Sequence, residues 1–199
     1  YKRQEKRGMI PNAAYYDKNY RGSWNGLTII SISIGQGEVT ATPLQIANLG
    51  ATIANRGYYI TPHVVKEVED EPLDNLFTSK HYTKVNREHY ETVVQGMRAA
   101  VTGGTCRNAN IPGIEVCGKT GTAQNRGKDH SAFMGFAPMN DPKIAVVVYV
   151  ENGGWGATYG VPIGSLIMEK YLKGELSPES EAKAAEIQSR RIDYGIHER

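Results

Sequence analysis

Several things this sequence lacks narrow what it can be. It has only two cysteines, Cys106 and Cys117, and structural zinc takes four ligands, so they do not build a metal site. Two readings of the pair stay open: a disulfide closed across eleven residues in an oxidising compartment, or two small buried thiols. The histidines, His63, His81, His89, His130 and His197, are too scattered to form a ligand cluster. No charge sign dominates. Lys and Arg number 23 against 21 Asp and Glu, and a net +2 gives no overall field that would draw nucleic acid or a membrane surface. The basic residues that gather at the start, Lys2, Arg3, Lys6 and Arg7, are interrupted by Glu5 and read as a solvated terminus.

Long apolar runs are missing as well. The longest, Ile144–Val150, falls far short of the ~20 residues of a membrane span. No signal-peptide pattern is present. The chain opens on Tyr1 and not on Met, which fits a fragment or processed piece, with any targeting segment expected upstream. What remains is a chain of 199 residues, 40% hydrophobic and 22% charged, enough for a sizeable core.

The pattern along the chain predicts an α+β fold, an antiparallel sheet flanked by helices. Residues 1–26 read as irregular or short-helical. Leu27–Gly37, LTIISISIGQG, reads as a strand because of its β-branched isoleucines, stopped by Gly35 and Gly37. Thr42 and Pro43 then open a helix whose apolar face is Leu44, Ile46, Ala47, Leu49, Ile53 and Ala54, with Gly57 as its stop. Tyr58–Val68 reads as an edge or irregular strand containing Pro62, and residues 69–80 as an acidic loop. A second helix is predicted over Asn86–Val101, with Asn86 as cap and Tyr90, Val93, Val94, Met97, Ala100 and Val101 as its stripe.

Strands follow at Ile114–Gln124, Ser131–Ala137 and Lys143–Glu151, the last two joined by a turn at Pro138–Pro142. A third helix, Pro162–Leu172, offers Ile163, Leu166, Ile167 and Tyr171 for packing. The domain is expected to span 1–173, and 174–199 to be a polar tail, frayed helix or disordered.

One stretch supports two chemistries. In GIEVCGKTGTAQN (Gly113–Asn125), the first eight residues fit the phosphate-loop pattern GxxxxGK[ST]. A phosphate loop needs backbone amides curling into a helix. Here the curl would hold Glu115 inside an anion cradle, and the supposed helix, from Thr120, has two glycines and no apolar period. The strand after the hairpin also lacks the crossover of a parallel sheet. Read as a strand, the same residues place Thr120 and Thr122 on one face, Lys119 on the other, and Gly121 where another extended chain could approach. That arrangement suits a peptide carrying a terminal carboxylate, and the other reading is a plain β-strand that happens to contain KTGT.

The surroundings of KTGT carry more weight than the tetrapeptide. ISIGQGEVTATPLQIANLGATIANRG (32–57), GIEVCGKTGTAQN (113–125), HSAFMGFAP (130–138) and DPKIAVVVYVENGG (141–154) resemble, in order and spacing, the later part of the transpeptidase domain of class B penicillin-binding proteins, most closely the penicillin-binding protein 2 group. The similarity runs from about Glu5 to Leu172. The resemblance implies a penicillin-binding-protein/serine β-lactamase-like domain and acyl transfer through a serine ester. Its substrates would be peptidoglycan stem peptides, with β-lactams as mimics, and no cofactor or metal would be required. It implies that Lys119 supplies positive potential, that Thr120 and Thr122 bind the substrate carboxylate, that Gly121 lets the substrate backbone lie alongside, and that the Thr122 N–H forms half of an oxyanion hole.

Trp155 and Tyr159, on the loop after Glu151–Gly154, are candidates for the cleft wall, beside their ordinary reading as packing residues. The resemblance further implies the periplasmic face of a bacterial inner membrane, an upstream anchor, and a membrane glycosyltransferase of the cell-elongation machinery as partner of the complete protein. The family's S-x-x-K and S-x-N motifs should precede KTGT. Ser180–Lys183 fits the first and Ser23–Asn25 the second, but both stand in the wrong place, so they read as chance matches. A nucleotide-binding domain and a non-catalytic binding module of the same fold are the alternatives.

Overall fold

The computed structural model describes residues 7–69 and 71–192; Lys2, Arg3 and Lys6 of the basic cluster and His197 lie outside the described residues. The chain divides into two compact units, Tyr1–Gln45 and Ile46–Arg199.

The first unit holds α1 (Ala13–Tyr20) and α2 (Gly26–Ser33), with an antiparallel bridge between Met9 and Thr40. Asn12 caps α1 by accepting the Tyr15 N–H at 2.9 Å. Residues Leu27–Ser33, expected as a strand, are helical. The reason is the cap: the Asn25 side chain accepts the Leu27 N–H at 2.9 Å, while the Thr28 hydroxyl accepts the Asn25 N–H at 3.4 Å. This reciprocal box settles the first turn, and the helix penalty of an isoleucine, about 0.5 kcal/mol, is too small to oppose it. A cluster of rings, Tyr15, Tyr16, Tyr20 and Trp24, gathers beside α1. Its polar ends are satisfied: the Tyr16 and Tyr20 hydroxyls both donate to Glu38, and Trp24 Nε1 donates to Asp17 at 2.8 Å.

The unit boundary falls inside α3 (Pro43–Ala54), which opens on the expected cap, with Thr42 and Gln45 exchanging bonds of 2.9 and 3.2 Å. Its apolar face is only half used. Gly50, Thr52 and Ala54 are buried, whereas Leu44 and Leu49 are exposed. Gly50 allows the helix to lie close to the sheet: a Cβ there would sit 3.2 Å from Met134.

Within the extended segment Tyr58–Val68, β1 (Tyr58–Tyr59) pairs with β2 (His81–Tyr82) and Val68 bridges to Glu71, and the loop between the strands holds the short helix α4 (Asn75–Thr78). α5 (Arg87–Thr102) buries Tyr90, Val94, Met97 and Val101 as expected, but Val93 is exposed and the Asn86 side chain makes no capping bond.

The three expected strands are present as β3 (Cys117–Ala123), β4 (His130–Ala137) and β5 (Ile144–Val150), antiparallel in the order β3-β4-β5. The Pro138–Pro142 turn closes with the Lys143 N–H on the Ala137 carbonyl at 2.9 Å. Each face of the sheet has its own core. On one, Phe133, Ala137, Val146 and Val148 pack against α6 (Gly160–Lys173) and the 3-10 turn Arg107–Ala109, with Cys106, Val161 and Met168. On the other, Cys117 and Phe136 pack with Val94, Met97 and Ala54. The cysteines therefore occupy opposite sides of the sheet as free buried thiols, and the disulfide alternative falls away. Burial pushes the Cys117 thiol up to about 11 and raises that of Cys106.

α6 uses only part of the expected face. Ile163 packs against the core, but Ile167 and Tyr171 are exposed, and the buried positions are Gly160, Val161, Gly164, Ser165 and Met168. Phe133 is the cause. Its ring lies in a slot formed by Gly118, Gly135 and Gly164, where an added Cβ would fall 2.6, 2.5 and 2.4 Å from it. Finally, Pro178–Ser189 of the polar tail is helical. It is α7, capped by Ser177 at the Ser180 N–H, with Glu179 and Glu181 in its first turn.

Candidate active site

The site is built on β3. Lys119, Thr120, Gly121 and Thr122 stand on the edge strand of the three-stranded sheet, opposite Met134, Phe133, Ala132 and Ser131. Alternation places Thr120 and Thr122 on the face of Phe133 and Ser131, and Lys119 with Gly121 on the face of Met134 and Ala132. Lys119 is exposed, and its Nζ folds back to donate to the Thr120 carbonyl at 2.7 Å. A neutral carbonyl is a weaker partner for an ammonium than a carboxylate is, so an incoming anion can draw Lys119 away.

The two threonine hydroxyls already have partners. Thr120 Oγ1 lies 2.9 Å from Thr105 Oγ1, on the loop after α5, and Thr122 Oγ1 accepts the Gly156 N–H at 3.4 Å. Gly156 belongs to a loop pressed onto the strand backbone. A Cβ at that position would lie 2.6 Å from the Gly121 carbonyl and 2.5 Å from that of Ala132. Only glycine fits there. From beneath, the buried Ser131 hydroxyl donates to the Trp155 carbonyl at 2.8 Å and accepts the Gly160 N–H at 3.0 Å. The loop is thus fixed to the strand from which Thr122 projects.

Of the residues singled out from sequence, Lys119 to Thr122 come together as one strand edge. Trp155 leads into the attached loop and is 75% exposed. Tyr159 stands at the start of α6 with the Arg190 guanidinium 5.4 Å from its ring, so packing accounts for it. Sequence reasoning missed Thr105, Ser131 and Gly156. Their signals were weak but present: Ser131 is a polar residue at the head of an apolar strand, and Thr105 and Gly156 sit in the glycine-containing loops on either side.

The chance motifs have other employment. Ser180 is buried and donates to Glu169. Ser23 donates to the Tyr20 carbonyl at 2.5 Å, Trp24 binds Asp17, and Asn25 caps α2. The phosphate loop is also excluded, because Thr120 to Ala123 continue β3 where that motif requires a helix. Among the described residues, no group of His, Cys, Asp and Glu is placed to hold a metal ion, and no helix is long and apolar enough to cross a membrane.

The fold is thus a mixed one that carries Lys-Thr-Gly-Thr on the edge strand of a three-stranded antiparallel sheet. The family model for the penicillin binding protein transpeptidase domain matches residues 4–169, and the chain belongs to that family. It is 31% identical to the peptidoglycan D,D-transpeptidase MrdA of Haemophilus influenzae, over 94% of this chain and 32% of that protein. A solved structure of Pseudomonas aeruginosa PBP2 in complex with WCK 5153 is similar at a TM-score of 0.74 and 35% identity, covering 86% of this chain and 39% of that one. A structure of a peptidoglycan synthase complex, described as coordinating polymerization and crosslinking, matches at a TM-score of 0.75 and 33% identity, covering 88% of this chain and 30% of that chain. The chain spans about a third of the length of the curated relative it matches over most of its own length.

Proposed function

We propose that these residues form the KTGT-bearing part of a serine-type peptidoglycan D,D-transpeptidase that β-lactams inhibit. The observation that carries the reading is the exposed edge of β3, with the Lys119 ammonium on one face and two threonine hydroxyls on the other. In the reaction, a serine outside these 199 residues attacks the penultimate carbonyl of a stem peptide ending in D-Ala-D-Ala. The C–N bond breaks, D-alanine leaves with a proton, and an amine of a neighbouring stem then takes the acyl group and frees the serine.

Lys119 supplies the positive potential at the substrate carboxylate. Thr120 and Thr122 donate hydroxyl hydrogen bonds to it, exchanging their present bonds to Thr105 and the Gly156 loop. Gly121 leaves room for the substrate backbone beside the strand, and the Thr122 N–H donates to the developing oxyanion. Trp155 walls the cleft. On this reading the complete protein works at the periplasmic face of the inner membrane, and the likeness to a complex that coordinates polymerization and crosslinking supports a glycosyltransferase partner.

The 199-residue chain alone should not be labelled by a fluorescent penicillin; covalent labelling would overturn this account of where the serine lies. In the complete enzyme, Lys119→Ala should slow acylation by about a hundredfold or more. An unchanged rate removes Lys119 from the site, and a complete protein with no acylation at all points to a non-catalytic binding module.

A further inference from the structure

The family match ends at residue 169, and the proposed reaction makes no use of α7. Yet α7 is docked at both ends and at its middle. Near its start, the Ser180 hydroxyl donates to Glu169, a carboxylate only 1% exposed that also pairs with Lys173 at 3.2 Å. Halfway along, Lys183 Nζ donates to the Asn108 carbonyl at 3.4 Å. Just past the last turn, Arg190 grips Glu186 at 2.7 and 3.2 Å, donates to the Thr158 carbonyl at 2.7 Å, and covers the Tyr159 ring.

Between α7 and the loop lies an open cleft of about 480 Å³, with Ala157, Thr158 and Pro162 on one side and Lys183, Glu186 and Ile187 on the other. Side-chain packing there does not hold the loop down; the arginine fork bridges the gap. Thr158 is in turn bonded to Trp155, through its N–H on the Trp155 carbonyl at 2.8 Å, and the residue between Trp155 and Ala157 is the Gly156 that rests on Gly121 and Thr122.

We propose that Arg190 is a positioning residue. α7 acts as a strap whose arginine sets the Trp155–Tyr159 loop, and through Gly156 the Thr122 end of the substrate-binding strand. A planar fork suits this task, because it holds a carboxylate and a carbonyl at once in fixed geometry. The inference rests on the reading of β3 as the carboxylate-binding strand, but its first test does not. In the 199-residue chain, Arg190→Ala should raise amide hydrogen exchange at Gly156 and Thr158 about tenfold while leaving β4 and β5 unchanged. Arg190→Lys, which keeps the charge but loses the fork, should restore less than half of the protection.

In the complete enzyme, Arg190→Ala should weaken the binding step of penicillin about three- to tenfold and leave the limiting acylation rate within about twofold. Unchanged exchange in the loop overturns the strap, as does a loss confined to the limiting rate. If the unaltered complete enzyme does not react with penicillin, the transpeptidase reading fails, and the exchange experiment still decides the strap.

Discussion

The two units of this chain spend their apolar residues in opposite ways. In the first, α2 carries Leu27, Ile29, Ile30 and Ile32, yet none of its residues is buried, and order comes from α1, where two phenols share the Glu38 carboxylate beside a packed indole. In the second, a sheet of only three strands is covered on both faces, and its two phenylalanine rings, Phe133 and Phe136, are at most 1% exposed. Apolar content therefore does not measure core. Burial follows from whether a surface of matching shape lies opposite, and the glycines around Phe133 provide one.

The comparison can be broken most forcefully at Phe133. Phe133→Ala should cost about 3–5 kcal/mol by chemical denaturation, followed through the second unit, because the glycine slot cannot collapse onto the gap. Filling the slot from the other side should hurt less: Gly164→Ala should cost about 1–3 kcal/mol, since either the ring or the helix must shift. A loss below half a kcal/mol in both would mean that the slot does not organise the sheet.

The first unit should respond to pH instead. Burial and the Glu38 carboxylate push the Tyr16 phenol up to about 12 from its ordinary 10.0, so its contribution is complete below pH 10 and disappears as pH rises toward 12. Hydrogen bonds from Tyr20 and Tyr16 hold Glu38 below the usual carboxylate value, so its contribution is present at neutral pH and fades on acidification. The difference in tyrosinate absorbance between the chain and Tyr16→Phe should show the late titration; a midpoint near 10 would mean that neither burial nor Glu38 holds the phenol. The smallest effect is expected in α2, where Ile30→Ser should change stability by no more than about 0.5 kcal/mol. A larger loss would reveal burial of that face in solution.

The same contrast explains what was legible in the sequence. Strands β3 to β5, α3 and α5 follow from period and turn chemistry, and the two faces of KTGT follow from alternation alone. Three features required more. α2 was decided by Asn25 and Thr28, a two-bond signal hidden beneath isoleucines that favour a strand. The packed face of α6 combines Val161 and Met168 with small residues that give a ring from β4 its space, so Ile167 and Tyr171 were a poor guide. α7 announced itself only through Ser177, Pro178 and two early glutamates, and it docks by side-chain hydrogen bonds, which leaves no apolar stripe to read. At the site, KTGT was visible as a motif, whereas Thr105, Ser131 and Gly156 depend on how loops meet the strand.

The placement of the two thiols has a practical consequence. With a sheet between them and burial opposing their ionisation, Cys106 and Cys117 should give the same folded chain under oxidising and reducing conditions. They are also two separate reporters. A thiol reagent that reaches Cys117 first signals loosening on the α5 side, and one that reaches Cys106 first signals loosening under α6. Either side of the sheet can thus be watched opening without adding a label.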